Sequence, residues 1–360
     1  MDEHCRRGFL ELEDGTRFPG RAFGADATSA GEVVFTTSLF GYIESLTDPS
    51  YRGQILVPTF PLIGNYGAPA IGDLKACESD QIQVAGLVVS TLHHDQTHHA
   101  SGRSLHEWLA EEGVPGIEGI DTRALTLKLR EKGCMLGRFV FDSAEDGSSE
   151  PAPTPWYDPG SVDLVAEVSR RDLELFGSGT KRVVLVDCGS KRAIRRELLA
   201  RGVEVLEVPH DHDFTGERHD GVLISNGPGD PERAGATIEV LRRAMSLGRP
   251  MFGICLGSQL MALASGARTY KLPYGHRGQN QPCREVGSAR SLLTSQNHGY
   301  AVDEASLGDE WAVWFENAND GSVEGIRHRR HPFSAVQFHP EARPGPLDAL
   351  HLFDDFVASL

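Results

Sequence analysis

The stretch Gly253-Ile254-Cys255-Leu256-Gly257-Ser258-Gln259 decides the fold of the second half of this chain. A short apolar strand ends at Ile254 and a run of helix formers begins at Leu256, so the thiol of Cys255 lies in the turn between them. The flanking glycines permit a strained turn, as in the Gly-x-Ser-x-Gly nucleophile elbow. The partial positive charge at a helix start favours the thiolate. The sequence therefore predicts that Cys255 is a nucleophile.

A candidate base for this thiol follows near the end of the chain, at His339-Pro340-Glu341. The preceding run, residues 334–338, has the composition of a strand. In an extended chain residues i and i+2 point to one side, so Glu341 is expected to orient the imidazole of His339. The pattern predicts a Cys/His/Glu triad in which Cys255 attacks a carbonyl, His339 moves the proton and Glu341 holds the tautomer.

A glycine-rich loop, Asn226-Gly227-Pro228-Gly229-Asp230-Pro231, follows the apolar run Val222–Ile224. Glycines allow backbone N–H groups to approach a ligand closely. The loop belongs to a strand-to-helix connection, where ligands of open α/β sheets bind. We therefore expect the backbone of Gly227 and of Leu256 to form an oxyanion hole.

The second half, residues 181–360, alternates between apolar strands and helices, which is typical of a doubly wound, mostly parallel α/β sheet. The predicted strands are Val183–Val186, Val203–Val208, Val222–Ile224 and Met251–Ile254, and the predicted helices are Lys191–Arg201, Glu232–Leu247 and Leu256–Ala264.

The first half, residues 1–142, is richer in strand patterns and predicts a mixed α/β domain. A hairpin turn is indicated at Asp14-Gly15. Residues 143–180 are predicted to link the halves, because 143–160 are rich in Asp, Glu, Ser, Pro and Gly. The remaining predictions are strands at Glu32–Thr36, Gln54–Thr59 and Gln83–Val89, and helices at Arg103–Glu112 and Thr122–Lys132.

The composition disfavours some classes of partner and indicates a location. The 360 residues carry 51 acidic and 35 basic side chains, a formal net charge of −16. This charge disfavours nucleic acid and anionic membrane surfaces as partners. Six scattered cysteines without a Cys-x-x-Cys pair, and a start without an apolar signal core, indicate a cytoplasmic protein. The acidity fits either a high-salt cytoplasm or an ordinary acidic protein.

The motifs together resemble a known family. The Asn226–Pro231 loop, the Cys255 elbow, the run 296–300 and the closing 338–341 resemble the triad-type class I glutamine amidotransferases. The first half is similar to the amino-terminal domain of the carbamoyl-phosphate synthase small subunit. The stretches that carry this second resemblance are 31–35, 41–42, 46–51, 63–65, 120–123 and 129–133, together with 275–278 and 341–346 in the second half.

The resemblance implies a function. A chain of this family hydrolyses glutamine to glutamate and ammonia through a thioester on Cys255, and passes the ammonia through an internal tunnel to a large synthetase subunit. That partner makes carbamoyl phosphate from bicarbonate and ATP for arginine and pyrimidine synthesis, and holds ATP and a divalent metal such as Mg. The resemblance implies no cofactor or metal in this chain, and allows a higher oligomer of heterodimers. The implied glutamine contacts are Ser50, Gly227, Gly229, Leu256, Gln259, Asn297, Gly299 and Tyr300.

Two positions depart from the family pattern: Ser258, where histidine is usual, and Tyr300, where phenylalanine is common. The run His93–His99 suggests a metal site by composition, but it lacks ordered ligand spacing, and an exposed loop is expected instead. Three other functions stay open: the amidotransferase of another synthetase, a catalytically silent regulatory subunit, and a free-standing thiol hydrolase.

Overall fold

A computed structural model of the chain describes residues 6–94, 98, 101–142 and 154–360. The chain forms two compact units, Met1–Pro159 and Gly160–Leu360. Part of the predicted linker, residues 143–153, lies outside the described residues.

The first unit is built around a closed barrel of seven strands in the order β1-β2-β8-β6-β4-β3-β9. Its strands form both antiparallel and parallel pairs, and helices lie between some of them along the chain. The predicted strand-rich mixed α/β domain is therefore confirmed. The elements are β1 Arg7–Leu12, β2 Arg17–Gly24, β3 Ala30–Thr36, α1 Tyr42–Leu46, β4 Gln54–Pro58, β5 Leu62–Ile63, β6 Gly86–Val88, β7 Thr91–Leu92, α2 Leu105–Glu111, β8 Pro115–Glu118, α3 Thr122–Lys132 and β9 Met135–Phe141.

Local signals place several of these elements. Gly15 adopts φ 83° in the turn between β1 and β2, a conformation that glycine adopts without steric penalty. Helix α2 begins with a capping box between Ser104 and Glu107, and the side chain of Asp121 accepts a hydrogen bond at the start of α3.

The second unit contains a sheet of ten strands in the order β10-β12-β11-β13-β14-β19-β18-β17-β15-β16. The elements are α4 Leu164–Val168, β10 Glu174–Phe176, β11 Arg182–Asp187, α5 Arg192–Ala200, β12 Glu204–Pro209, β13 Gly221–Ile224, α6 Gly235–Met245, β14 Met251–Ile254, α7 Leu256–Ala264, β15 Thr269–Glu285, β16 Ser291–Val302, β17 Trp311–Asn317, β18 Val323–His328, β19 Phe333–Val336 and α8 His351–Ser359.

Five of these strands, β12, β11, β13, β14 and β19, form a parallel core with apolar clusters on both faces. Val184 of β11 packs on one face with Leu241 of α6 and Leu260 of α7. Leu185, one residue later, packs on the other face with Phe353 of α8. Helices therefore cover both sides of the parallel strands, and the doubly wound fold is confirmed.

The rest of the sheet was not predicted from the sequence. Strands β15 to β18 extend the parallel core as an antiparallel ribbon, joined to it by the pairing of β18 with β19. On the opposite side, β10 pairs antiparallel with β12, although β10 falls in the stretch assigned to the linker. Among the described residues, no helix has the length and apolar character needed to span a membrane.

Candidate functional site

Cys255 lies at a sharp turn between β14 and α7, as the sequence predicts. Its backbone has φ 54° and ψ −104°, a conformation that is strained for any residue other than glycine. A Cβ atom at Gly257 would lie 2.3 Å from the carbonyl oxygen of Ile224, so only glycine lets the helix approach the sheet this closely. The thiol is buried, with 2% of the residue exposed.

His339 and Glu341 meet as expected, but in a different backbone conformation. Strand β19 ends at Val336, His339 forms an isolated bridge with Ser295, and the N–H of Ala342 donates to the His339 carbonyl. The pair therefore spans a turn instead of an extended strand. The carboxylate oxygen Oε1 of Glu341 lies 2.6 Å from His339 Nδ1, which fixes the proton on Nδ1.

Lys191, which sequence reasoning did not identify, completes this arrangement. Its Nζ lies 3.0 Å from Glu341 Oε1 and donates to the carbonyl of Ala342 at 2.7 Å. Lys191 is only 2% exposed, so both charges of the pair are removed from water. Its own backbone N–H donates to Asn226 Oδ1 at 3.0 Å, which ties the glycine-rich loop to the same cation.

The charges of the site shift two pKa values in opposite directions. Burial alone would lower the pKa of His339, but the charges of Glu341 and Cys255 outweigh burial and raise it to about 10. Burial would raise the pKa of Glu341, but Lys191 and His339 hold it at about 2. The dominant protonation state near neutral pH is therefore an imidazolium beside a carboxylate.

The thiol has two polar neighbours. Cys255 Sγ lies 3.6 Å from the carbonyl oxygen of Asn297, and the side-chain amide of Gln337 donates to Sγ at 3.6 Å. His339 Nε2 is buried and has no hydrogen-bond partner among the described residues. This nitrogen is the proton carrier that the predicted triad requires, and the negative charge of the Cys255 sulfur is one of the causes that raise the pKa of His339.

The glycine-rich loop follows β13 as predicted. A Cβ atom at Gly227 would lie 2.1 Å from the carbonyl oxygen of Cys188, and Gly229 has φ 86°. Leu256 is the first residue of α7, and an N–H in that position has no acceptor within its own helix. The predicted oxyanion-hole donors are thus at a strand end and at a helix start, and their role stays a prediction.

The other predicted glutamine contacts are divided between the two units. Asn297, Gly299 and Tyr300 lie on β16, and the Gln259 amide Nε2 already donates to Tyr300 O at 2.9 Å and to Gln337 Oε1 at 3.0 Å. Ser50 is buried in the first unit.

The structure also places Ser258 and part of the run His93–His99. Ser258 is 1% exposed inside α7, and its N–H donates to the Cys255 carbonyl. His93 and His94 are exposed, as expected for a loop, while residues 95–97 and 99 of that run lie outside the described part of the chain.

Sequence reasoning missed Lys191 and Gln337. Lysine is rarely fully buried, and its position before α5 gave no indication that its side chain reaches Glu341. Gln337 lies two residues before His339, near the end of the strand-like run 334–338. The alternation of a strand could have placed both side chains on the thiol side.

Comparison with known protein families and proteins agrees with this geometry. Residues 184–359 match the glutamine amidotransferase class-I family, and residues 10–139 match the carbamoyl-phosphate synthase small chain domain. The chain is 47% identical to the carbamoyl phosphate synthase arginine-specific small chain of Emericella nidulans, over 98% of this chain and 80% of that protein.

Longer relatives also match. The chain is 49% identical to multifunctional protein CAD of Squalus acanthias, over 97% of this chain and 16% of that protein. It is 47% identical to a protein of Aquarana catesbeiana named mitochondrial carbamoyl-phosphate synthase (ammonia), over 99% of this chain and 24% of that protein. The chain thus spans a quarter or less of these larger proteins. With both family models matched and a small chain 47% identical over most of its length, the chain belongs to the family of carbamoyl-phosphate synthase small chains, with a class I glutamine amidotransferase domain as its second half.

Proposed function

We propose that the chain is the glutaminase subunit of a glutamine-dependent carbamoyl-phosphate synthase. The observation that carries the proposal is the buried set of Cys255, His339 and Glu341, in which the thiol lies on a strained backbone turn and the imidazole is held by a carboxylate at 2.6 Å. A nucleophile, a proton carrier and a group that orients the proton carrier are the components of acyl transfer through a covalent intermediate.

In the first step, the sulfur of Cys255 attacks the side-chain amide carbon of glutamine. The S–C bond forms, the carbonyl π electrons move to oxygen, and the backbone N–H groups of Gly227 and Leu256 stabilise the oxyanion. Loss of one such donor raises a barrier of this kind by about 2.7–4 kcal/mol.

In the second step, the C–N bond breaks and His339 Nε2 supplies the proton with which ammonia leaves. The buried carboxylate of Glu341 keeps the opposite nitrogen protonated, and Lys191 keeps that carboxylate ionised. Water then attacks the thioester carbon and gives a proton to His339 Nε2, and the C–S bond breaks with its electron pair on sulfur, which releases glutamate and restores the starting state. The hydrolysis as proposed uses the side chains of this chain alone and no metal ion.

The proposed partner is a large synthetase subunit that binds ATP and a divalent metal such as Mg, consumes the ammonia with bicarbonate, and forms carbamoyl phosphate for arginine and pyrimidine synthesis. The small-chain names of similar proteins support this partner, and the match to parts of multifunctional proteins is consistent with it. We propose the cytoplasm as the location, because the six cysteines are scattered along the sequence without the paired spacing of a disulfide framework.

One observation favours an alternative function, a regulatory subunit without catalytic activity. A relative that is 47% identical to this chain has a name that specifies ammonia. An enzyme supplied with free ammonia needs no glutaminase. The intact Cys255, His339 and Glu341, together with the buried Lys191, argue for retained hydrolysis in this chain. The match of residues 10–139 argues against the amidotransferase of a different synthetase.

The test uses the chain reconstituted with a large carbamoyl-phosphate synthase subunit, supplied with bicarbonate, ATP and either glutamine or ammonium chloride. Cys255→Ser should abolish carbamoyl phosphate formation from glutamine and leave formation from ammonia intact. Cys134→Ser, which changes a thiol in the first unit, is the matched control and should retain both activities. Equal glutamine-dependent rates for wild type and Cys255→Ser would overturn the proposal and favour the regulatory role.

A further inference from the structure

A second buried polar cluster lies in the antiparallel ribbon, outside the proposed triad. We propose that His276 of β15, His298 of β16 and Glu324 of β18 bind a divalent transition metal of the zinc type. One donor atom from each residue lies within 4.8 Å of the others, and all three residues are buried. The strand pairing places His276 directly opposite His298.

Two of the three spacings between donor atoms are close to those around a tetrahedral ion. Glu324 Oε1 lies 3.4 Å from His276 Nδ1 and 3.8 Å from His298 Nε2. Two ligands that each bind zinc at its usual distance in a tetrahedron are roughly 3.4 Å apart. Two imidazoles and a carboxylate are also a ligand set that zinc accepts.

The outer nitrogens of both rings are held as they are in metal sites. His276 Nε2 pairs with Asp320 Oδ2 at 2.9 Å, and His298 Nδ1 pairs with the Tyr300 carbonyl at 2.8 Å. A carboxylate and a carbonyl on the far nitrogen fix the tautomer and direct the remaining lone pair inward. The two inward nitrogens are the ones that face Glu324.

His298 Nε2 faces oxygen acceptors. Because the Thr294 hydroxyl donates to the Gln281 carbonyl at 2.8 Å, it must accept from the amide nitrogen of Gln296 at 3.2 Å. This orientation places Gln296 Oε1 3.2 Å from His298 Nε2. Because Nδ1 donates to the Tyr300 carbonyl, the neutral ring carries its lone pair on Nε2. A lone pair that faces an amide oxygen and a carboxylate is electrostatically unfavourable, and a cation bound between them would relieve this repulsion.

Glu324 supplies an independent sign of a ligand. The residue is 0% exposed, Asn317 donates to its Oε1 at 3.0 Å, and its Oε2 is buried without a hydrogen-bond partner among the described residues. An unpaired carboxylate oxygen in the interior is strongly unfavourable without a counter-charge. The side chain of Asp320, which pairs with the outer nitrogen of His276, is 45% exposed, so the cluster lies one side chain below the surface.

The test is metal binding by the full chain, carried out in a Cys255→Ser background so that the reactive thiol cannot ligate. After chelator treatment, Zn²⁺ is titrated by calorimetry and Co²⁺ by its visible absorption. We expect one ion per chain, tetrahedral Co²⁺ bands, and a thermal midpoint that rises with Zn²⁺ concentration. Replacing His93, His94, His98 and His99 together by asparagine is the matched control and should leave this affinity unchanged.

Glu324→Gln and His298→Gln should each weaken binding by at least about 10–100-fold, the range that loss of a supporting partner alone produces. If either variant fails to fold, the Co²⁺ spectrum of the background protein still decides the geometry. The absence of saturable binding, octahedral Co²⁺ bands, affinity unchanged in folded Glu324→Gln, or affinity lost on replacement of the His93–His99 histidines would each overturn the proposal.

Discussion

Lys191 and Glu341 form a buried ion pair with 3.0 Å between Nζ and Oε1. The same carboxylate oxygen lies 2.6 Å from His339 Nδ1, so the ion pair also holds the imidazole in its orientation. A buried pair is costly to break, because removal of one partner leaves the other charge uncompensated. The orientation of the proposed catalytic imidazole therefore depends on a residue before α5.

Replacing Lys191 by methionine should consequently lower both stability and activity. We expect the unfolding free energy of the second unit to fall by about 3–5 kcal/mol, and glutaminase activity to fall with it. Lys181→Met is the control, since its Nζ lies 3.8 Å from Asp220 and its side chain is 49% exposed. That change should alter stability by less than about 1 kcal/mol. Similar denaturation midpoints for the two variants would contradict this account.

The coupled titration of His339 and Glu341 predicts how stability depends on pH. The raised pKa of His339 contributes stability that is fully present below its unfolded value of 6.5 and is lost as pH rises through about 10. The lowered pKa of Glu341 contributes stability that is present above 4.5 and is lost as pH falls through about 2. The pair should therefore stabilise the fold most between pH 4.5 and 6.5.

Chemical denaturation of wild type and Glu341→Gln tests the prediction, with measurements inside the window of pH 4.5 to 6.5 and on both sides of it. The difference in unfolding free energy between them should be greatest inside the window and shrink on both sides. A difference independent of pH would refute the assigned shifts. Because the Cys255 charge also raises the pKa of His339, the imidazole should titrate at lower pH in Cys255→Ser, which NMR can measure.

Gly257→Ala should displace helix α7 from the sheet. The added methyl group would lie 2.3 Å from the Ile224 carbonyl oxygen, a distance that backbone atoms cannot relieve without moving the elbow. We expect activity to fall at least about 100-fold, since misplacement of a reacting group by about 1 Å has that effect. Gly235→Ala, where a Cβ meets open space at the start of α6, should leave steady-state rates unchanged. Equal rates for both variants would argue against a strained elbow.

Gln337→Met should slow catalysis with little effect on glutamine binding. The amide of Gln337 donates to Cys255 Sγ, and a hydrogen bond to a charged group contributes about 1.5–3 kcal/mol. A decrease in kcat of roughly 10–150-fold follows from that energy, with KM nearly constant. Gln83→Met, a buried amide in the first unit, is the control and should retain kcat. A rise in KM alone would instead assign Gln337 to substrate binding.

The sequence predicted much of the parallel core because β11, β13 and β14 are mainly apolar runs and each is followed by a helix. The bounds of α3 and α7 agreed with the prediction, as both begin and end at clear local signals. The ribbon β15–β18 was missed because its strands mix polar and apolar residues, and several of its polar side chains are buried against each other. The Lys191–Glu341 pair and the His276, His298 and Glu324 cluster depend on contacts between distant segments, which local patterns do not encode.

One continuous path of polar contacts joins the thiol to that cluster. Gln337 contacts Cys255, Gln259 donates to both Gln337 and the Tyr300 carbonyl, and His298 donates to the same carbonyl. Any coupling that this path carries between the two sites is reciprocal. If acylation of Cys255 changes the affinity of the cluster for its ligand by some factor, then binding of that ligand changes the acylation equilibrium by the same factor.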